Sequence, residues 1–377
     1  MVSRPGLAAL VALAVLAVST ALVPAFGVGR EAGDLVVFYG YARKVVGGMA
    51  PYRDLRLEYP PGALAAIVTP AVGRPSPRVY ALRFEVAMLV LLAVTIALLG
   101  GGKRAAFVVA LSPLLLGPVV CQRFDALPAL LTLAALLLAL RGRYSWSAAT
   151  LGIGTAVKLY PLLLMPLVVA AAGRRGGAKV LAAFGFAVTC LFAPFLAIAP
   201  HGVAAAIHDQ LGRHLQMETP LASAALLAQS LAGVNFGLVS QAHSFALGGT
   251  RGFVLAVLTT AAFLASLASV WRRMPRLVAS REGMIVGWAA TLCTAVALGR
   301  VLSPQYLIWL LPVVPLVGRG PTLLLVAALV LTNIWYPTQY SAAVHGHGDA
   351  IPLLVGRNIV LIALLVVLLR NVSSRSA

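Results

Sequence analysis

Apolar residues in this chain come in long runs separated by short polar intervals. The runs cover residues 7–26, 79–99, 105–120, 126–140, 180–199, 253–271, 284–298, 305–317, 322–336 and 351–369. A helix needs about 20 predominantly apolar residues to cross the hydrocarbon of a bilayer, so each long run predicts a spanning helix. Two shorter segments, 147–157 and 162–172, flank Lys158-Leu159-Tyr160-Pro161. Together they predict a tight helical hairpin with Lys158 at its turn, or broken helices around a cavity. The pattern gives an all-α polytopic membrane protein, a bundle of about 12 transmembrane helices. It predicts one domain over 1–377, with a first extracytoplasmic loop at 27–78 and a second large one, amphipathic and rich in His, at 200–250.

The first polar interval is the densest in the N-terminal half. Glu31, Asp34, Asp54 and Glu58 fall in or beside it, with Phe38, Tyr39, Tyr41, Tyr52, Arg43, Lys44, Arg53 and Arg56 between them. Residues 34–46 predict a short interfacial helix, with Asp34 in its first turn and Gly47-Gly48 as its stop. Tyr59-Pro60-Pro61 fixes an extended turn. The apolar piece at 62–72 is too short to cross and predicts a re-entrant or interfacial segment.

Composition settles the class. The chain is 61% hydrophobic and 10% charged, unlike a soluble domain of 377 residues. Cys121, Cys190 and Cys293 lie within apolar runs and read as buried hydrophobes, not a disulfide framework or metal site. The net charge of +19 would suggest nucleic acid in a soluble protein. Here the basic residues sit between apolar runs, so topology and anionic lipid account for it, and no nucleic-acid partner is expected. The excess of Arg over Lys with abundant Ala suggests a GC-rich bacterium. The run at 7–26 follows Arg4; it is long for a signal peptide and reads as a retained anchor.

With the N-terminus inside and the spans alternating, 15 of 29 basic residues fall inside, a near-even total, but in bare clusters such as GRRGGAK and WRRMPR. Nine of ten acids and all six histidines fall outside, which predicts a working site on the extracytoplasmic side of the plasma membrane.

Four constellations could carry chemistry, each with a bland alternative. Asp34 could be a general base for a substrate hydroxyl, or a carboxylate at a helix start. Lys158, in apolar surroundings, could hold a phosphate, or snorkel from a hairpin tip. Arg300, Ser303, Gln305 and Tyr306 offer a cation, a hydroxyl, an amide and a phenol for phosphate or sugar, or Ser303-Pro304 simply starts a helix. Gln122-Arg123-Phe124-Asp125 could belong to the site, or Arg123 and Asp125 could neutralise each other. His345-Gly346-His347 with Asp349 could hold a divalent ion, but no metal-binding helix pattern supports it, and a hydrogen bond from one histidine to substrate fits better. P-loop, dinucleotide and GxSxG signatures are absent.

D-x4-Y followed by G-x-x-P-Y-R-D and E-Y-P-P, then QRFDALPALL, KLYP, LQMETP and LSPQYL resembles the GT-C membrane glycosyltransferases. The resemblance is to the family 87 type, the polyprenol-phosphate-mannose-dependent α-mannosyltransferases of actinobacteria. Cys121 and Arg123 depart from its pattern. The resemblance implies a polyprenyl-phosphate-sugar donor, with mannose the family's commonest sugar and arabinofuranose or another pentose as alternatives. It implies a glycolipid or glycan acceptor, inversion, and Asp34 as base. It also implies neutralisation of the donor phosphate by Arg and Lys, with no metal or cofactor, a role that Lys158, Arg300 and Arg123 fit. Asp54, Glu58, Tyr59, Gln122, Asp125, Tyr160, Gln305, Tyr306, His345 and His347 are the expected substrate contacts. The rival class is a lipid-linked sugar flippase or transporter. That would line its midplane with polar groups on several helices, whereas these spans read as nearly free of charge.

Overall fold

The computed structural model describes residues 4–23, 34–100, 103–233, 235–241, 244–345 and 350–374. Glu31, His243, His347 and Asp349 therefore lie outside the described residues. The chain divides into two compact units: Met1–Leu211 with Leu311–Leu316, and Gly212–Leu310 with Val317–Ala377.

The first unit opens with α1 (Arg4–Ala21) and α2 (Asp34–Val46). The second helix has the bounds its sequence predicts. Asp34 meets its positive end, and Arg43 and Lys44 meet its negative end. Leu35, Phe38 and Ala42 form its buried stripe. At 13 residues it is about 20 Å long, too short to cross a bilayer. The piece at 62–72 becomes α3 (Ala63–Val68) and a 3-10 turn.

Next comes α4 (Pro77–Leu99), started by Pro77 and by the Ser76 hydroxyl accepting from the Val79 N–H. The run at 105–120 does not form one helix. Gly117-Pro118 divides it into α5 (Lys103–Leu116) and α6 (Val119–Gln122), because the proline ring cannot continue the ladder. The chain then forms α7 (Ala126–Ala139) and α8 (Tyr144–Val157), followed by a 3-10 turn over Tyr160–Leu164. The next helix, α9 (Met165–Ile198), breaks at Gly173, whose φ of 67° and ψ of −178° are not helical. Its two limbs correspond to the segments predicted at 162–172 and 180–199. The last helix of this stretch is α10 (Pro200–Leu211). In this unit α1 packs on α5, α4 on α5 and α7, and α8 on α7 and α9.

The second unit holds most of what the sequence reads as an outer loop at 200–250. Its elements are β1 (Leu215–Gln216), α11 (Pro220–Ala232), β2 (Leu238–Gln241) and β3 (Ser244–Leu247). The three strands form an antiparallel sheet in the order β1-β3-β2, with Leu215 and Leu238 both opposite Leu247. After it come α12 (Gly249–Trp271), α13 (Met274–Leu277) and α14 (Arg281–Ala297). Ser280 caps α14 by accepting from the Gly283 N–H at 3.0 Å. Almost every side of α14 is buried, as expected of a helix apolar all round.

The run at 305–317 is a 3-10 segment over Pro304–Leu310 followed by the short α15 (Val314–Val317). Pro304, Pro312 and Pro315 remove the donors a continuous helix would need. The chain ends with α16 (Arg319–Trp335), α17 (Tyr340–Val344) and α18 (Ala350–Ser374). In this unit α18 packs against α11, α14 and α16.

Among the described residues, four segments are long and apolar enough to cross a membrane: Pro77–Leu99, Tyr160–Ile198, Gly249–Trp271 and Ala350–Ser374. Gly6–Ala21, Ala126–Ala139, Pro220–Ala232, Pro304–Val317 and Arg319–Trp335 are shorter apolar stretches. The architecture is that of a helical membrane protein, with one small sheet among the described residues.

Candidate active site

The first unit gathers the charged residues that its sequence singles out. Asp34, the first residue of α2, pairs its Oδ2 with Nη1 of Arg123. Two residues further on, Asp125 accepts from Lys158 Nζ at 2.6 Å. Arg123 and Asp125 thus reach separate partners. Asp125 is only 2% exposed and Lys158 17%, whereas Asp34 keeps 28%. Asp34 is the more accessible carboxylate of the two.

Local backbone explains the divergence. Arg123 ends α6 in extended conformation, with φ −128° and ψ 145°, and Asp125 turns into α7. On continuously extended backbone residues two apart would share one side; the change to helical backbone at Asp125 breaks that register and sends the two side chains apart. Phe124, between them, is buried among Phe38 of α2 and Tyr59 of the loop, with ring centroids 5.6 and 5.2 Å away. Phe84 of α4 adds a further contact to Phe38 at 5.6 Å. Lys158 Nζ lies 5.4 Å from the Phe124 ring centroid, in reach of a cation–π interaction.

Lys158 is placed by the end of α8. Its backbone is extended, so the helix stops there, and its N–H still bonds to the Gly154 carbonyl at 2.9 Å. The Pro60-Pro61 turn docks beside it, through the Gly62 N–H donating to the Ala156 carbonyl at 2.7 Å. A Cβ on Gly62 would stand 2.7 Å from that carbonyl oxygen, so this approach needs glycine.

The rest of the first loop is held from several directions. The Tyr52 hydroxyl donates to the Tyr59 carbonyl at 2.7 Å, and Gln210 to the Glu58 carbonyl at 2.6 Å. Arg56 pairs with Asp209 at 2.6 Å. Burial, and then the Glu58 carboxylate, raise the pKa of Tyr41. Asp54 is exposed and fastens its own turn, accepting from Arg53 at 2.9 Å and from the Ala50 N–H at 2.9 Å. Those bonds hold its pKa down to about 2, with Arg53 the larger cause.

Glu85 of α4, which the sequence reading counts only as an outer acid, joins this group. It is 2% exposed and accepts from Gln122 at 3.3 Å. Tyr160 is buried just beyond Lys158.

Arg300, Gln305 and Tyr306 belong to the second unit. Arg300 Nε donates to the Thr260 hydroxyl at 2.9 Å, and Tyr306 stacks on Trp309 at 4.3 Å. Gln305 is half-buried in the 3-10 segment. His345 is exposed, its Nδ1 2.8 Å from the Ser341 carbonyl. His347 lies outside the described residues. The sequence reading also passes over Arg357 and Asn358, both buried inside α18. A lone Arg-Asn pair in an otherwise apolar run was the available signal.

The fold and this cluster define a membrane protein of helices with paired charges set among aromatic rings. The model of glycosyltransferase family 87 matches residues 57–304, and the chain belongs to that family. It is accordingly a glycosyltransferase. The matched stretch includes Gln122, Arg123, Asp125, Lys158 and Arg300 but not Asp34, Gln305, Tyr306 or His345. No curated protein and no solved structure matches the chain.

Proposed function

We propose that the enzyme transfers a sugar, mannose, from a polyprenyl-phosphate donor to a hydroxyl of a cell-envelope glycolipid or glycan. The reaction takes place on the extracytoplasmic face of the plasma membrane and inverts the anomeric centre. The observation that carries this reading is the double pair Asp34–Arg123 and Asp125–Lys158, two carboxylates and two cations built from α2, the 123–125 segment and the end of α8.

The acceptor oxygen attacks the anomeric carbon while the bond from that carbon to the phosphate oxygen breaks. The acceptor proton passes to Asp34, and the leaving phosphate keeps the bonding electrons. Arg123 and Lys158 stabilise the charge that grows on that phosphate. A carboxylate in an ion pair has lone pairs engaged, so Asp34 works once the donor phosphate draws Arg123 towards itself. Arg300 is assigned a donor-phosphate role of its own, tested separately. Glu58, Tyr59, Gln122 and Tyr160 shape the sugar side, Asp54 keeps its turn in place, and Gln305, Tyr306, His345 and His347 are assigned to acceptor contacts.

Asp34→Asn tests the reading. Purified variant protein should bind donor as before, while turnover falls about a hundredfold, the usual scale for a lost general base. Near-normal turnover would reduce Asp34 to an ion-pair partner of Arg123.

A further inference from the structure

Within the second unit, a chain of buried polar groups runs from α18 to the turn that carries Arg300. Arg357 lies two turns inside α18, a helix apolar and long enough to cross a membrane. It is 1% exposed, and a charge so placed needs a reason, since burying it in apolar surroundings is costly. Its Nη2 donates to the Glu218 carbonyl at 2.9 Å, and the Glu218 carboxylate attracts it electrostatically. Asn358 donates to the same carbonyl at 3.1 Å and to the Ser223 hydroxyl at 2.8 Å. Two donors from α18 therefore fix one backbone oxygen, two residues after Gln216.

Gln216 is itself 3% exposed and held on both sides. Its N–H donates to the Arg300 carbonyl at 2.9 Å. Its side-chain Oε1 accepts from the Leu302 N–H at 3.0 Å, and its Nε2 reaches the Ser303 hydroxyl at 3.5 Å. Leu302 is fully buried, so its N–H would be orphaned without that side chain. One glutamine thus grips the turn at 300, 302 and 303, while Thr260 holds the Arg300 guanidinium.

We infer that Gln216 is a positioning residue for the Arg300 turn, and that Arg357 and Asn358 of α18 hold Gln216 in place through Glu218. This inference rests on the reading of Arg300 as a donor-phosphate cation. Its effect is specific: a turn that drifts loses donor affinity first, because Arg300 meets the donor and the brace itself meets no substrate.

A double-mutant cycle tests it. Gln216→Met keeps the length of the side chain and removes both polar atoms. It should raise the donor KM about tenfold and leave the acceptor KM unchanged, while the orphaned Leu302 N–H lowers the thermal midpoint by roughly 2–6 °C. In an Arg300→Ala background the same substitution should add nothing. An unchanged donor KM for Gln216→Met, or a full further loss in the Arg300→Ala background, would overturn the inference. If Gln216→Met does not accumulate, Arg357→Lys takes its place. It keeps a cation against Glu218 and loses the planar donor to its carbonyl, and a folded Arg357→Lys with unchanged donor KM is equally fatal. If Arg300→Ala itself leaves the donor KM unchanged, the role of Arg300 falls. The brace is then judged by thiol labelling of Ser303→Cys, which should speed up when Gln216→Met is added. An unchanged labelling rate overturns it.

Discussion

Asp125 and Lys158 make the sharpest test of how this site is built, because stability and activity respond differently to the same pair. Asp125→Asn leaves the Lys158 ammonium without its carboxylate in a pocket walled by Phe124. Breaking a buried ion pair by removing one partner costs about 3–5 kcal/mol. Lys158 retains 17% exposure and faces the Phe124 ring, so it keeps some solvation and some cation–π attraction. The loss therefore falls near the lower end, about 3 kcal/mol. At about 2 °C per kcal/mol for a large domain, the melting midpoint drops by roughly 6 °C. Replacing both partners, as Asp125→Leu with Lys158→Met, removes the charges together and should restore the midpoint to within about 2 °C of the parent, since apolar replacement of a buried pair is often neutral. Activity should not return with it, because the proposed phosphate cation is gone. Detergent-solubilised protein, heated and run on a sizing column, gives the midpoint, and transfer from labelled donor gives the activity. A single variant as stable as the parent, or a double variant as unstable as the single one, would refute the energetic reasoning. A stable double variant with normal transfer would remove Lys158 from the reaction.

Gly62→Ala should push the Pro60-Pro61 turn away from Ala156 and reduce transfer more than it lowers yield; equal activity per folded molecule would show that this junction does not matter. Asp54 has its pKa held well below the ordinary carboxylate value, so its contribution to the 50–56 turn is present above about pH 4. It is lost as pH falls towards about 2, and protease nicking of that turn should rise over this window in the parent but not in Asp54→Asn. Cysteines placed at Gly48 and Arg175 should differ in intact cells, the first labelling from outside and the second not; labelling at 175 would reverse the orientation and the proposed sidedness.

The helices were legible where their signals are local. α2 carries its own start, stop and amphipathic stripe, and its bounds follow from 13 consecutive residues. The Gly and Pro residues that divide α5 from α6 and shorten the 305–317 run were equally visible, but the apolar pattern outweighed them. The sheet was not legible, because strands of two to four residues are too short to show a period of two. The site was legible as a list and not as a set of partners. Arg123 and Asp125 lie so near each other in sequence that mutual neutralisation is the natural reading, yet Asp125 meets a lysine 33 residues away and Arg123 meets the start of α2. Only the fold could make that exchange. Glu85, Gln216 and Arg357 have no role assigned from sequence for the same reason, since each gains meaning from a partner distant in the chain.

The segment Arg123-Phe124-Asp125 gives three neighbouring side chains to three different destinations: a carboxylate on α2, a cluster of rings, and the lysine ending α8. Only these three residues join α6 to α7. Its length is therefore as fixed as its composition. One residue inserted or deleted here would carry at least one of the two ions out of reach of its partner and leave a largely buried charge unpaired. Loops of membrane proteins commonly tolerate changes in length; the length of this one is set by the two ions it must deliver.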